Sequence, residues 1–85
     1  MQIMVKVFVT LRHHLKPEWA QASEFQVAWT DLPGASKRVR DLIAYLGMPE
    51  KEIGQVILNG HIKWDRDIVL HPGDRVIVQP YIGGG

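Results

Sequence analysis

Residues 3–10 alternate two kinds of position, Ile3, Val5, Val7 and Val9 on one parity and Met4, Lys6, Phe8 and Thr10 on the other. Successive side chains of a strand point to opposite faces, so this run predicts a half-buried β-strand. A second alternation over 24–30 sets Phe25, Val27 and Trp29 against Gln26, Ala28 and Thr30 and predicts a second strand. Between them "LRHHLKPEWAQAS" is too long for a tight turn and reads as a loop, with at most a turn of helix that Pro17 interrupts. The period then changes. After the breaker "DLPGAS", Val39, Leu42, Ile43 and Leu46 fall at i, i+3, i+4 and i+7, the apolar stripe of one helix. Ser36 is placed to cap its start, Gly47 to end it in the left-handed conformation, and Pro49 to stop continuation.

Past "MPEKEIG" the pattern returns to strand. Val56-Ile57-Leu58 runs into Asn59-Gly60 and resumes at His61-Ile62, and Asn-Gly between apolar segments is the sequence of a hairpin turn with positive φ. Pro72-Gly73 marks another turn, with a short extra strand or turn before it, and "RVIVQ" forms the last strand. The order β-β-α-β-β allows one mixed sheet with the helix over one face. The first and last strands are apolar enough to lie side by side at its centre, joined by a right-handed crossover. This is a β-grasp arrangement, an α+β fold with a mixed sheet of four to five strands under one main helix. By pattern alone a ferredoxin-like fold or a small barrel stays open.

Composition narrows the function more than the fold. With 85 residues, 46% hydrophobic and 22% charged, the chain reads as a single globular domain over 1–85, with a tail at about 81–85. Ten Lys and Arg against nine Asp and Glu give a net charge of +1, so no global pull towards nucleic acid or anionic membrane is expected. Lys37, Arg38 and Arg40 at the helix start read as a solvated face. Cysteine is absent, which excludes disulfides, thiol catalysis and iron–sulfur ligation by this sequence. The opening "MQIMVKVFVT" is a strand pattern rather than a signal-peptide core, and a cytoplasmic location is expected.

Four histidines raise a metal reading. His13 and His14 are adjacent and on a regular element would point apart, His61 and His71 sit by turns, and no recognised zinc spacing is present, so none is assigned as a ligand. Asp65 and Asp67 are two apart and could share a strand face, but a working acid–base pair needs a cleft that separates their pKa values. Surface and turn roles are expected instead. Trp19, Trp29 and Trp64 lie in separate elements and are assigned to packing. Phe8, opposite Val5, Val7 and Val9, is expected on the outer side of the sheet, where an exposed aromatic suits a partner surface.

The sequence closes on Tyr81-Ile82-Gly83-Gly84-Gly85. No helix follows the glycines, so they are no phosphate cradle. One reading is a frayed terminus. The other makes the carboxylate the reactive group: five residues reach roughly 17 Å at about 3.3–3.6 Å each, and without Cβ atoms the last of them can enter a tunnel closed to larger side chains.

"VILNGHIKWDRDIVLHPGDRVIVQPYIGGG" resembles the ThiS/MoaD family of ubiquitin-like sulfur carriers, the carrier of thiamine biosynthesis and the small subunit of molybdopterin synthase. The matching pieces are Leu58-Asn59-Gly60, Pro72-Gly73-Asp74, the strand Arg75–Gln79 and the final Gly84-Gly85, with "KVFVTLR" and "VRDLIAYLGMP" similar to the family's first strand and helix. The resemblance covers nearly the whole chain except the loop at 13–23. It implies a carrier rather than an enzyme, with no bound cofactor and no catalytic residue. An E1-like adenylating enzyme would use ATP to activate Gly85, which sulfur would convert to a thiocarboxylate. Gly83, Gly84 and Gly85 would enter the active site of a synthase large subunit or a thiazole synthase, and Phe8, Tyr81 and Ile82 would dock the partner. The third glycine, Gly83, departs from the family's usual pattern. The long loop and Pro80 favour the molybdopterin branch over the thiamine branch. A ubiquitin-like protein modifier and an inert β-grasp interaction module are the competing readings.

Overall fold

The computed structural model describes residues 1–81. Five strands, β1 (Gln2–Val7), β2 (Phe25–Ala28), β3 (Ile53–Leu58), β4 (His61–Lys63) and β5 (Arg75–Pro80), form one sheet in the order β2-β1-β5-β3-β4. As the pattern predicted, the first and last strands lie together at the centre and run parallel, with Val5 opposite Val76 and Val7 opposite Val78. β2 flanks β1 and β3 flanks β5, both antiparallel. The mixed sheet with one main helix is a ubiquitin-like β-grasp fold.

That helix is α2 (Val39–Leu46), and its stripe Val39, Leu42, Ile43 and Leu46 is buried. It meets Ile3, Val5, Val7, Val56, Val76 and Val78, the inward parity of the three central strands, in one core that also takes Leu11, Leu32, Met48 and Leu70. Each aliphatic side chain so buried contributes roughly 1.5–3 kcal/mol, an upper estimate against a compact unfolded chain. Gly47 ends the helix at φ 81°, the left-handed cap the sequence indicated. The start differs from expectation: the cap residue is Arg38, not Ser36, and the Asp41 carboxylate accepts a 2.9 Å bond from the Arg38 backbone N–H. Acceptor chemistry came from the first turn rather than from the residue before it.

Four further boundaries differ from expectation. β1 stops at Val7, and Val9–His14 turns into a 3₁₀ helix that leaves Val9 exposed and buries Leu11. Pro17 does not interrupt a helical turn but begins one, α1 (Pro17–Ala20), because its fixed φ and missing N–H suit the first helical position. The second strand ends at Ala28, and Trp29–Asp31 is a 3₁₀ turn. β3 starts at Ile53, three residues before the apolar run that revealed it. The Asn59-Gly60 hairpin is present, with φ 50° and 86°.

Candidate functional site

β1 and β5 are parallel and β3 is antiparallel to β5, so one end of the sheet gathers the C-terminal ends of β1 and β5 with the N-terminal end of β3. β4 is antiparallel to β3 and delivers Trp64 there too. The sequence-named docking residues Phe8 and Tyr81 both lie at this end, the first just past β1 and the second just past β5. Phe8 is held there by its backbone N–H, which donates to the Val78 carbonyl at 3.1 Å, and the residue is 40% exposed. Tyr81 is 66% exposed. Ile82, Gly83, Gly84 and Gly85 lie outside the described residues.

The departure of the chain from β5 is shaped by Gly54. Ile53 pairs with Pro80 and Gln55 with Gln79, leaving Gly54 as the additional residue of a bulge. A Cβ built on Gly54 would stand 2.6 Å from the Pro80 carbonyl oxygen and 2.7 Å from the Tyr81 backbone. Only a residue without a side chain lets the two backbones approach this closely. Beside them Gly54, Gln55, Trp64, Pro80 and Tyr81 line an open cleft of about 210 Å³.

An apolar row leads away from that cleft across the uncovered face of the sheet. Ile62 is opposite Ile57, and Ile57 is opposite Ile77, all three on the parity that turns from the helix. Ile62 is 49% exposed and Trp64 70%, so Trp64 is not the packing residue expected of it. Trp19 and Trp29 do pack against the core, Trp19 stacking on Phe25 with ring centroids 5.1 Å apart. Sequence reasoning also passed over Gly54, Ile57, Ile62 and Ile77. The signal was available in the glycine opening a strand and in the apolar residues on the non-core parity of "VILNGHI".

The remaining candidates resolve into structure. Asp65 and Asp67 share no strand face, since both follow the end of β4. The Asp65 carboxylate accepts from the Asp67 backbone N–H at 2.8 Å and Asp67 pairs with Arg40 at 2.8 Å. Arg38 donates to the Asp67 carbonyl and Lys37 to that of Gly34, so the basic cluster is tied to neighbouring loops. His13 and His14 do not point apart: at the tight end of the 3₁₀ helix their ring centroids are 3.9 Å from each other. His14 Nε2 lies 3.1 Å from Glu52 Oε1. Among the described residues no helix is long and apolar enough to cross a membrane.

The Mut7-C ubiquitin family model matches residues 1–83. One chain of the protein–protein complex of subunits 1 and 2 of the molybdopterin-converting factor from Helicobacter pylori is similar over 100% of both chains. The TM-score is 0.56 at 22% identity, a likeness of fold. No curated protein matches the chain. The family match agrees with the ubiquitin-like kinship indicated by the ordered Leu58-Asn59-Gly60 and Pro72-Gly73-Asp74 motifs. With its central parallel strand pair, its single covering helix and a family match over nearly its whole length, the chain belongs to the Mut7-C ubiquitin family.

Proposed function

We propose that this protein is a sulfur carrier in which the Gly85 carboxylate is the group that reacts. The observation that carries the reading is the exit of the chain at Tyr81, from a central strand pinned against Gly54, beside an open cleft edged by Trp64 and next to a run of glycines. A rigid scaffold that presents a narrow segment beside a docking surface suits delivery of a terminus into another protein's active site.

A carboxylate has no leaving group that sulfur can displace. An E1-like partner solves this with ATP: the Gly85 carboxylate oxygen bonds to the α-phosphorus and pyrophosphate leaves. A sulfide nucleophile then attacks the acyl carbon and AMP leaves, so the C–O bond to phosphate is exchanged for C–S and a thiocarboxylate remains. The protein itself contributes the terminus and the docking surface, and the catalytic groups belong to the partners. Likeness of fold to a chain of a molybdopterin-converting-factor complex supports molybdopterin assembly, with a synthase large subunit as acceptor, ahead of thiazole synthesis. Ubiquitin-like membership supports a second reading as a protein modifier, whose mark is Gly85 joined to target lysines.

The test is incubation with ATP, an active E1-like enzyme and a sulfur source, followed by thiol alkylation and fragment mass spectrometry. With no cysteine in the sequence, no side-chain thiol competes for the reagent. An adduct on Gly85, lost when Gly84 and Gly85 are deleted, is the expected result. No adduct from an enzyme that loads another carrier would leave an inert interaction module as the better reading.

A further inference from the structure

Away from the sheet end, three potential ligands from two distant stretches of chain converge. His13 and His14 come from the end of the 3₁₀ helix Val9–His14, and Glu52 from a 3₁₀ turn, Glu50–Glu52, that leads into β3. One donor atom from each lies within 4.8 Å of the other two, and His14 Nε2 and Glu52 Oε1 are 3.1 Å apart. Ligands on a tetrahedral zinc ion at about 2.0–2.1 Å stand roughly 3.3–3.4 Å from one another, and the His14–Glu52 separation is already close to that spacing.

The backbone beneath them is anchored. Leu11 and Leu15 on one side and Met48 and Ile53 on the other are buried, and the Leu15 N–H donates to the Arg12 carbonyl at 3.0 Å. His14 and Glu52 are partly buried, whereas His13 stands at the surface. Ligands carried on an anchored backbone lose less freedom on binding an ion than those of a mobile loop. Imidazole with one carboxylate and no thiolate suits a borderline divalent ion of the later first-row metals rather than calcium or magnesium.

We propose that His13, His14 and Glu52 form a three-ligand site for Zn²⁺ or a similar divalent ion, with solvent in the fourth position. The ion ties the segment after β1 to the segment before β3, two pieces of chain 38 residues apart along the sequence. This inference is independent of the sulfur-carrier reading, since it uses no residue of the tail or the cleft.

The test is calorimetric titration of the untagged, unmodified full chain with zinc chloride, with thermal unfolding followed in parallel and Co²⁺ absorption reporting coordination. The expected result is one ion per chain and a Tm raised by about 4 °C or more near saturation. His13→Ala and Glu52→Gln, both folding normally by circular dichroism, weaken binding at least ~10-fold. His61→Ala and His71→Ala, exposed elsewhere, bind as the unaltered chain does. Absence of saturable binding at one ion per chain, or equal binding by His13→Ala and Glu52→Gln, overturns the site.

Discussion

A methyl group added at residue 54 would lie 2.6 Å from the Pro80 carbonyl oxygen, a separation that real Cβ contacts do not tolerate. The atoms in the way are backbone, so relief requires moving a strand rather than rotating a side chain. Gly54→Ala is expected to destabilise the fold by about 1–3 kcal/mol in urea unfolding. It should also lower thiocarboxylate yield under conditions where the variant remains folded, because the exit of the chain from β5 is displaced. A variant of unchanged stability and yield would mean that the bulge relaxes freely. Asn59 is the second residue whose identity is set by its surroundings. Its amide donates to Asp74 Oδ1 at 2.9 Å and accepts from the Arg75 N–H at 2.9 Å, while its backbone holds φ 50°. Two motif fragments far apart in the sequence, Leu58-Asn59-Gly60 and Pro72-Gly73-Asp74, are thus in direct contact. Asn59→Ala loses both bonds and adds strain, for about 1–2 kcal/mol, whereas Asn59→Gly loses the bonds alone. Equal midpoints for the two variants would assign the whole effect to the side chain.

At the scale of elements, α2 was legible because its period carries one meaning: four apolar residues on one stripe must be covered, and all four are. Leu42 sits at the middle of that stripe with no exposure, and Leu42→Ala is expected to cost about 2–5 kcal/mol by chemical denaturation, mostly from the cavity left behind. A value below about 1 kcal/mol would show that sheet and helix close over the gap. Boundaries were less legible than existence. Val9 continues the strand alternation perfectly, but the Leu11 N–H bonds back to the Phe8 carbonyl and the Leu11 side chain enters the core, so the chain turns after its last ladder bond to β5. Pro17 suits the first position of a helix as well as a break between segments, and the turn of helix lies after it.

For the whole molecule, the separation of folding from docking is the testable feature. The core lies between α2 and the inner face of the sheet, while Trp64 and Tyr81 sit exposed at the end where the chain leaves β5. Trp64→Ala with Tyr81→Ala should therefore leave the unfolding midpoint within about 0.5 kcal/mol of the parent. The same pair should weaken capture of the activating enzyme or the synthase partner at least ~10-fold in a binding titration, as expected for aromatic anchors at an interface centre. Capture unchanged by the pair would move the docking surface elsewhere on the molecule.

The sequence alone determined the strand–helix–strand order, the helix stripe, the left-handed cap at Gly47 and the Asn59-Gly60 turn. These follow from periods and from backbone conformations that few residues adopt, information that lies within a few adjacent positions. It also carried the kinship, since the motifs survive as an ordered set. Only the tertiary structure decided why Gly54 must be glycine, that Trp64 faces solvent, that the Ile62, Ile57 and Ile77 row crosses the open face, and that His13, His14 and Glu52 meet. Each of these depends on what a distant strand or turn places alongside. Adjacent residues fix the path of the chain locally, but which segments become neighbours is settled when the core closes and the strands take their register.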